Sequence, residues 1–235
     1  MSEMRSNTGQ TMKIIARIHN DFPTKFGIPR QGSLMDALKA TIVFEPEYRN
    51  PEALRGLEEF SHIWLIWEFS EAIRDKWSPT VRPPRLGGNA RVGVFATRSP
   101  FRPNALGLSS VKLERIELHS PCGPVLHVTG ADLMDGTPIY DIKPFLPYAD
   151  NHPEAVGGFA QDPAEHLLQV EISSHLLDRI PKERREGLLQ VLANDPRPAY
   201  HKDAERIYGV AFGKQDIRFQ VKGDTLTVCE VEDLK

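Results

Sequence analysis

Five arginine side chains on a stiff stretch of chain are the residues of this sequence best suited to chemistry. The stretch reads RPPRLGGNARVGVFATRSPFRPNALG, starts at position 82 and contains no acidic residue. Its prolines fix φ and restrict the residues before them, so the arginines are held on preset loops. A guanidinium is planar and donates paired hydrogen bonds to a phosphate, a carboxylate or the edge of a base. We therefore expect a binding site for an anion or a flat polar ligand. Its arginines are Arg82, Arg85, Arg91, Arg98 and Arg102.

The charge of the chain is divided in a way that supports such a site. The formal net charge is −3, but residues 76–113 contain seven Lys or Arg and no Asp or Glu. The remaining residues include 22 basic and 32 acidic side chains, a formal net charge of −10. A single basic segment in an acidic protein is typical of a localised site for a polyanion. The alternative is a solvated loop with scattered counter-charges.

Several classes of protein find no support in the sequence. The polar start and the short apolar runs predict neither a secretory signal nor a membrane span. Two cysteines without metal-ligand spacing predict reduced thiols in a cytoplasm and no metal site. No G-x-G-x-x-G follows a strand, and no hydrolase nucleophile motif is present.

Short strands must position the arginines. Alternating or β-branched stretches separated by Gly and Pro favour a barrel or a sandwich over alternating strands and helices. The predicted strands of this part are 12–19, 40–44, 63–69, 90–97, 107–118, 125–130 and 138–142, with a helical turn at 51–57. The shift of apolar parity within 107–118 predicts a bulge or a bend.

The composition changes after about residue 148, and the rest of the chain predicts a smaller unit. We expect a strand at 167–172, helices at 173–180 and 181–192, and strands at 207–212, 217–221 and 225–231. Ser173 or Ser174 is the expected cap of the first helix, and Lys222-Gly223-Asp224 indicates a hairpin. The fold class is therefore mainly β, with a small N-terminal β-barrel domain at 12–150 and a smaller α+β C-terminal domain at 151–235.

Five sequence blocks resemble one protein family. The arginine segment is similar to the signature of the TsaA-like family, the bacterial TrmO tRNA methyltransferases. The other blocks are KFGIPRQ at 25–31, GLEEFSHIWLIWEF at 56–69, DLMDGTPIYDIKPFLPYAD at 132–150 and DPRPAY at 195–200. The resemblance covers most of residues 12–150 and the tail. From the residues alone, only a β-rich protein with an arginine-lined anion site would follow.

The resemblance implies a function and a set of site residues. Such proteins use S-adenosylmethionine to methylate N6 of threonylcarbamoyl-adenosine, next to the anticodon of threonine tRNA, on a β-barrel and as a homodimer. The cofactor-binding residues that it implies are Pro29, Arg30, Gln31, His62, Ile63, Arg98, Leu108, Asp135, Gly136, Thr137 and Pro138. Without the resemblance, the Asp-Gly-Thr-Pro stretch at 135–138 indicates only a turn.

A carboxylate is expected to help remove the proton from N6, because the lone pair of that nitrogen is delocalised. Asp135 and Asp132 are the candidates, and we take Asp135 as the catalytic residue; either could instead cap a turn. Phosphates and splayed bases of an anticodon loop suit arginines and aromatic rings. The expected substrate-binding residues are Arg82, Arg85, Arg91, Arg102, Arg197 and Tyr200.

Two other functions stay open at this point. The chain could be a module that binds RNA or the cofactor without catalysis, or a methyltransferase that acts on a small molecule or a protein. Methyl transfer from labelled cofactor separates the first alternative, and salt-dependent binding of threonine tRNA separates the second.

Overall fold

The computed structural model describes residues 11–29, 35–74, 76–161, 167–197 and 203–234. The strands are β1 (Ala16–His19), β2 (Lys39–Phe44), β3 (His62–Glu68), β4 (Thr80–Val81), β5 (Val92–Gly93), β6 (Leu106–Ser120), β7 (Gly123–Thr129), β8 (Pro138–Pro144), β9 (Gln169–Glu171), β10 (Tyr208–Phe212), β11 (Gln215–Lys222) and β12 (Thr225–Asp233). The α-helices are α1 (Pro147–Asp150), α2 (Ser174–Leu177) and α3 (Lys182–Ala193). The protein is mainly β, as predicted.

Six strands close into a barrel in the order β1-β2-β7-β6-β3-β8, with every neighbouring pair antiparallel. Closure removes the free sheet edges that an open sheet would present. In β3 the odd-numbered residues point into the barrel core and alternate with partly exposed ones. The predicted β-barrel is therefore confirmed, and its interior is a packed apolar core. Its fully buried side chains include Ile18, Ile42, Ile63, Leu65, Leu126, Leu133 and Ile139.

The longest strand, β6, bends as its sequence predicted. Its pairing with β7 shifts register between Leu113 and Arg115. The first half of β6 pairs with β3 and the second half with β7. This bend lets one strand take part in two different sides of the barrel.

The predicted strand at 90–97 is wrong. Only Val92 and Gly93 pair, in the two-residue ribbon β4–β5, and Val94–Ala96 form a single turn of 3-10 helix. The amide of Val94 donates to the carbonyl oxygen of Pro79 (2.9 Å), and that of Thr97 donates to the carbonyl oxygen of Val94 (3.2 Å). These bonds turn the chain away from the barrel, so the arginine segment forms a folded loop outside it.

The C-terminal part is a four-stranded sheet in the order β10-β11-β12-β9 with α3 beside it. The predicted hairpin at 222–224 joins β11 to β12, with Gly223 at φ 58°. Ser173 is the N-cap of α2, although its side chain makes no capping hydrogen bond. The smaller α+β region is thus confirmed.

An early part of the chain packs on this C-terminal sheet instead of the barrel. Phe22, Met35 and Leu38 belong to the same apolar cluster as the buried residues of β10–β12 and α3. A Cβ at Gly27 would lie 2.2 Å from Val210 Cγ2 in β10, so only glycine fits there. The loop that precedes β2 is therefore fixed to the C-terminal part of the protein.

Within the part of the chain that the structure describes, no helix has the length and apolar character needed to cross a membrane. The same residues contain no group of three His, Cys, Asp or Glu arranged to hold a metal ion.

Candidate active site

The Asp135–Pro138 turn closes one end of the barrel. The residues before it cross that end from β7, because Ala131 and Leu133 lie in the barrel core. Gly136 has φ 75°, a conformation that favours glycine, and a Cβ there would meet open space. Its amide donates to the carbonyl oxygen of Ile18 (2.8 Å), and its carbonyl oxygen accepts from Arg17 Nη1 (3.1 Å). The turn is held rigidly from below while its outer side stays open.

Asp132 lies in the same crossing segment and is joined to the barrel wall by a chain of hydrogen bonds. Trp67 Nε1 in β3 donates to Ser109 Oγ in β6 (3.0 Å), and Ser109 Oγ donates to Asp132 Oδ1 (2.5 Å). Trp67 and Ser109 are both buried. Gly107 makes this possible, because a Cβ there would lie 2.2 Å from Trp67 Cε2.

The environment of Asp132 changes its proton affinity. Burial raises the pKa of the Asp132 carboxyl, because the charged form loses hydration. The hydrogen bond from Ser109 and the positive charge of Arg98 act in the opposite direction without cancelling this effect. Asp132 is thus a carboxylate of increased basicity with a guanidinium nearby.

Asp135 has a different setting. Its Oδ1 accepts from the amide of Asn20 (3.1 Å) and lies 3.3 Å from His19 Nδ1, and its side chain is 44% exposed. Its own amide donates to the carbonyl oxygen of Phe22 (2.8 Å). These bonds tie the turn to the chain after β1, so the carboxylate serves at least to hold the turn.

Leu108 and Arg98 are the predicted residues that lie toward the same end of the barrel. In the pairing of β3 with β6, Leu108 is opposite Ile66, one step from the pair of Trp67 with Gly107. Leu108 is 56% exposed. Arg98 is exposed and makes no ion pair among the described residues. Both are free to contact a ligand.

His62 and Ile63 lie at the opposite end of the barrel. Ile63 pairs with Pro144 at the far end of β8, whereas the Asp135–Pro138 turn precedes its near end. Seven residues of strand separate the two sites by about 20 Å. The ring of His62 packs on Phe145 with centroids 6.2 Å apart, and Ile63 is completely buried. Ile63 therefore has no exposed atom that a ligand could contact.

The early loop is described in part. Pro29 is buried, on the segment that packs against the C-terminal sheet. Arg30 and Gln31 lie outside the described residues, as does Tyr200 in the tail. Within one chain, the structure does not bring Pro29 to the Asp135–Pro138 turn through any described contact.

The arginine segment forms an exposed surface outside the barrel. Arg82, Arg85 and Arg91 are exposed, and Arg91 Nη1 donates to Thr80 Oγ1 (3.1 Å). Arg102 is half-buried and donates to the carbonyl oxygen of Thr97 (2.8 Å), so it braces the loop.

Aromatic rings lie on this surface beside the arginines. Trp77 and Phe95 are both exposed, and their rings stack with centroids 6.1 Å apart. Cations alternating with exposed rings are suited to single-stranded nucleic acid.

Arg197 is already engaged in the structure. Its Nε and Nη2 donate to the two carboxylate oxygens of Asp195 (2.8 and 2.9 Å), and its side chain is largely buried. The paired carboxylate raises the pKa of Arg197. A substrate phosphate would have to replace Asp195 to bind this guanidinium.

A cleft of about 590 Å³ opens elsewhere, between β1, β2 and β7. Its walls include His19, Lys39, His127 and Arg184. It is linked to the predicted site through His19, which faces Asp135, and through Asn20, whose amide donates to Asp135. Sequence reasoning missed the partners that orient Asp132. The one signal in the sequence is a serine pair, SerSer at 109–110, inside a strand of otherwise apolar alternation.

Fold and site together define a β-barrel protein with a candidate ligand site at one end of the barrel and an exposed arginine-rich surface. Two family models match the chain, the tRNA-methyltransferase O N-terminal domain over residues 17–151 and the TrmO C-terminal domain over residues 165–234. The chain belongs to the TrmO family.

The similarity to known members extends over almost the whole chain. A protein of Escherichia coli named tRNA (adenine(37)-N6)-methyltransferase is 41% identical over 215 residues, which are 88% of this chain and 91% of that protein. A Pseudomonas aeruginosa protein named putative S-adenosylmethionine-dependent methyltransferase RcsF is 42% identical over 225 residues, 92% of this chain and 95% of the relative. A crystal structure of TrmO from Pseudomonas aeruginosa superposes with a TM-score of 0.79 at 34% identity, covering 97% of this chain and 100% of the other.

Proposed function

We propose that this protein is an S-adenosylmethionine-dependent tRNA methyltransferase that methylates N6 of threonylcarbamoyl-adenosine at position 37 of threonine tRNA. Membership of the TrmO family and the names of its relatives support the cofactor, the tRNA substrate and the methylated nitrogen. The observation that carries the proposal is a set of four groups at one end of the barrel. They are the open Asp135–Pro138 turn, the Arg98 guanidinium without an ion pair among the described residues, the exposed Leu108 side chain and the Asp132 carboxyl, whose pKa is raised by burial.

These groups fit the proposed cofactor. S-adenosylmethionine carries a carboxylate, a flat adenine, and a sulfonium that supplies an activated methyl group when bound. The guanidinium of Arg98 binds the carboxylate, and Leu108 covers a face of the adenine. The open side of Gly136 allows the backbone of the Asp135–Pro138 turn to approach the ligand closely.

The arginine surface holds the RNA. Arg82, Arg85 and Arg91 bind phosphates of the anticodon loop, and the exposed rings of Trp77 and Phe95 accept unstacked bases. Arg102 acts by bracing the loop, and Arg197 and Tyr200 add contacts from the tail. The moderate net charge of −3 favours recognition of one loop over a broad electrostatic contact.

A second copy of the chain completes the cofactor site. His62 lies about 20 Å from the turn along β8, so we infer that His62 and the turn contact one ligand from different copies. We assign Pro29, Arg30 and Gln31 to the copy that supplies His62. We therefore place the cofactor at the interface of a homodimer in the cytoplasm, with a catalytic domain at 12–150 and a substrate-contacting domain at 151–235.

The chain's own residues then perform the transfer by positioning and proton removal. The turn, Arg98 and Leu108 hold the donor in line with N6, which removes the entropic cost of bringing the two together. A carboxylate at this end of the barrel takes the N6 proton, and Asp132 and Asp135 are the two candidates.

The direct test is product analysis. The purified protein is incubated with S-adenosylmethionine and threonine tRNA that carries threonylcarbamoyl-adenosine, and the digested RNA is examined by mass spectrometry for the N6-methylated nucleoside. We expect it with wild type, not with tRNA lacking the threonylcarbamoyl group, and at a strongly reduced level with Arg98→Ala. Arg179→Ala, an exposed arginine outside the basic segment, is the matched control. Cofactor binding without this product on any tRNA would contradict the proposed substrate.

A further inference from the structure

Two carboxylates at the functional end of the barrel differ in what their oxygens already do. Asp135 accepts the Asn20 amide and faces His19, and it is 44% exposed. Asp132 has Ser109 as its only described side-chain donor, through Oδ1. In both carboxylates Oδ2 has no donor among the described side chains, so the two differ in how Oδ1 is held: by the buried hydroxyl of Ser109 in Asp132, and by an exposed amide and a histidine in Asp135.

The hydrogen bonds around Asp132 fix its direction. Ser109 is buried and can donate its one proton to only one acceptor, and Trp67 Nε1 occupies an acceptor position on the same hydroxyl. The indole ring of Trp67 packs directly on the backbone of Gly107, where a Cβ would collide with it. A carboxylate anchored by one oxygen to a rigid wall presents the other in a constant direction.

We propose that Asp132 is the catalytic base that accepts the N6 proton, and that Ser109 and Trp67 are positioning residues that orient it. This inference rests on the proposed function and selects between its two candidate carboxylates. The N6–H bond breaks and its proton passes to the free oxygen of Asp132. Nitrogen forms the new bond to the methyl carbon as the bond from that carbon to sulfur breaks, and sulfur keeps the electron pair. The resulting carboxylic acid returns its proton to solvent.

Burial supports this assignment, because it makes Asp132 a stronger base than an ordinary aspartate. The hydrogen bond from Ser109 and the positive charge of Arg98 favour the charged form, which is the form that accepts a proton. The side chain of Asp135 is 44% exposed and is not buried in this way. The residue that ties the turn and the residue that takes the proton are therefore different aspartates, three positions apart.

The kinetic test compares isosteric variants of both aspartates. Asp132→Asn keeps the acceptor for Ser109 and should lower kcat by about 10²–10⁴-fold, while KM for the tRNA and the cofactor affinity change little. Asp135→Asn should act mainly on cofactor affinity. Ser109→Ala removes a hydrogen bond that lowers the Asp132 pKa, so the acid limb of the pH profile of kcat should move to higher pH, and Ser109→Thr should restore it.

A second readout needs no cofactor or substrate. With 15N-labelled indoles, the Nε1–H resonance of Trp67 should follow the ionisation of Asp132 as the pH is changed, and this response should vanish in Asp132→Asn and Ser109→Ala. Trp64 Nε1 donates to Asp150 instead, so its resonance should keep its own pH response in both variants.

The outcomes separate this inference from the proposed function. An active wild type with an equally active Asp132→Asn variant would overturn the base assignment and leave the proposed function standing, as would a large loss of kcat confined to Asp135→Asn. A wild type that methylates no tRNA would overturn both. A Trp67 resonance that ignores Asp132 would overturn the positioning role of Ser109 and Trp67.

Discussion

Each end of β3 has a tryptophan that is hydrogen-bonded, directly or through a serine, to an aspartate, and the pKa values of the two aspartates are shifted in opposite directions. Near the start of the strand, Trp64 Nε1 donates directly to Asp150 Oδ2 (2.9 Å), which also accepts from the amide of Leu146 (2.8 Å). Near its end, Trp67 reaches Asp132 only through Ser109. The hydrogen bonds from the Leu146 amide and from Trp64 lower the pKa of Asp150, whereas burial raises that of Asp132.

The difference separates a structural carboxylate from a reactive one. The Asp150 carboxylate accepts hydrogen bonds that hold α1 against the barrel, and these bonds stabilise its charged form. Asp132 has one described side-chain donor, Ser109, and loses hydration through burial. A tryptophan–aspartate contact by itself therefore says nothing about function. The number of donors and the extent of burial decide it.

The largest expected difference between the two ends is in turnover. Asp132→Asn should lower kcat by about 10²–10⁴-fold, because a proton acceptor is lost. Asp150→Asn should keep kcat within a few-fold of wild type, because that carboxylate is outside the reaction. Single-turnover methylation of threonine tRNA measures both. Similar losses of kcat in the two variants would show that Asp132 has no role in catalysis that Asp150 lacks.

The next effect in size tests the wall behind Asp132. Gly107→Ala places a Cβ 2.2 Å from the Trp67 ring and should cost about 1–3 kcal/mol of unfolding free energy through overpacking. Gly93→Ala meets nothing within 4 Å and is the matched control in a neighbouring element. Urea unfolding measures both variants. Equal stability of the two would mean that Trp67 is free to move, contrary to the rigid support proposed for Ser109.

Stability as a function of pH should move in opposite directions at the two ends. The raised pKa of Asp132 means that its ionisation is unfavourable in the folded state, so stability falls as the pH rises through that pKa. Asp132→Asn should therefore raise the melting temperature at neutral pH and not in acid.

The lowered pKa of Asp150 has the opposite effect. Ionised Asp150 stabilises the fold at any pH above the pKa that this aspartate has in the unfolded chain, and this stabilisation is lost as the pH falls through its pKa in the folded protein. Asp150→Asn should lower the melting temperature at neutral pH, with the difference disappearing in acid. Thermal scans from acid to neutral pH measure both variants. A change in melting temperature of the same sign in Asp132→Asn and Asp150→Asn at neutral pH would contradict the prediction.

Much of the fold could be predicted from the sequence, because it depends on local patterns. Alternation predicted β3 closely, parity predicted the register shift in β6, and Lys222-Gly223-Asp224 predicted the last hairpin. The predicted strand at 90–97 failed because the amide of Val94 bonds to the carbonyl oxygen of Pro79 and the chain turns into a 3-10 helix. Alternation cannot show which distant partner a strand finds.

The site could be predicted only as a set of residue types. The contact of Trp67 with Ser109 joins residues 42 positions apart, and that of Ser109 with Asp132 joins residues 23 apart. The first depends on the register of β3 against β6, and the second on where the segment after β7 crosses the end of the barrel; no local pattern encodes either. The sequence likewise could not indicate that His62 and the Asp135–Pro138 turn lie at opposite ends of β8.

The smallest expected effect concerns the arginine surface beside the functional end. Arg85→Ala should weaken tRNA binding a few-fold and reduce the slope of log affinity against log salt by about 0.7–0.9, the value for one phosphate contact. Arg179→Ala should leave both unchanged. Filter binding at several salt concentrations measures the slopes. An unchanged slope for Arg85→Ala would remove that arginine from the RNA surface.

The most direct test of the account is to measure the pKa values of the two aspartates in one sample. With 13C-labelled aspartate, the carboxyl resonances of Asp132 and Asp150 can be followed from acid to neutral pH and assigned with Asp132→Asn and Asp150→Asn. We expect Asp132 to titrate above the range of an ordinary aspartate and Asp150 below it. Titration of Asp132 at or below Asp150 would contradict the assignment of the reactive carboxylate to this end of the barrel.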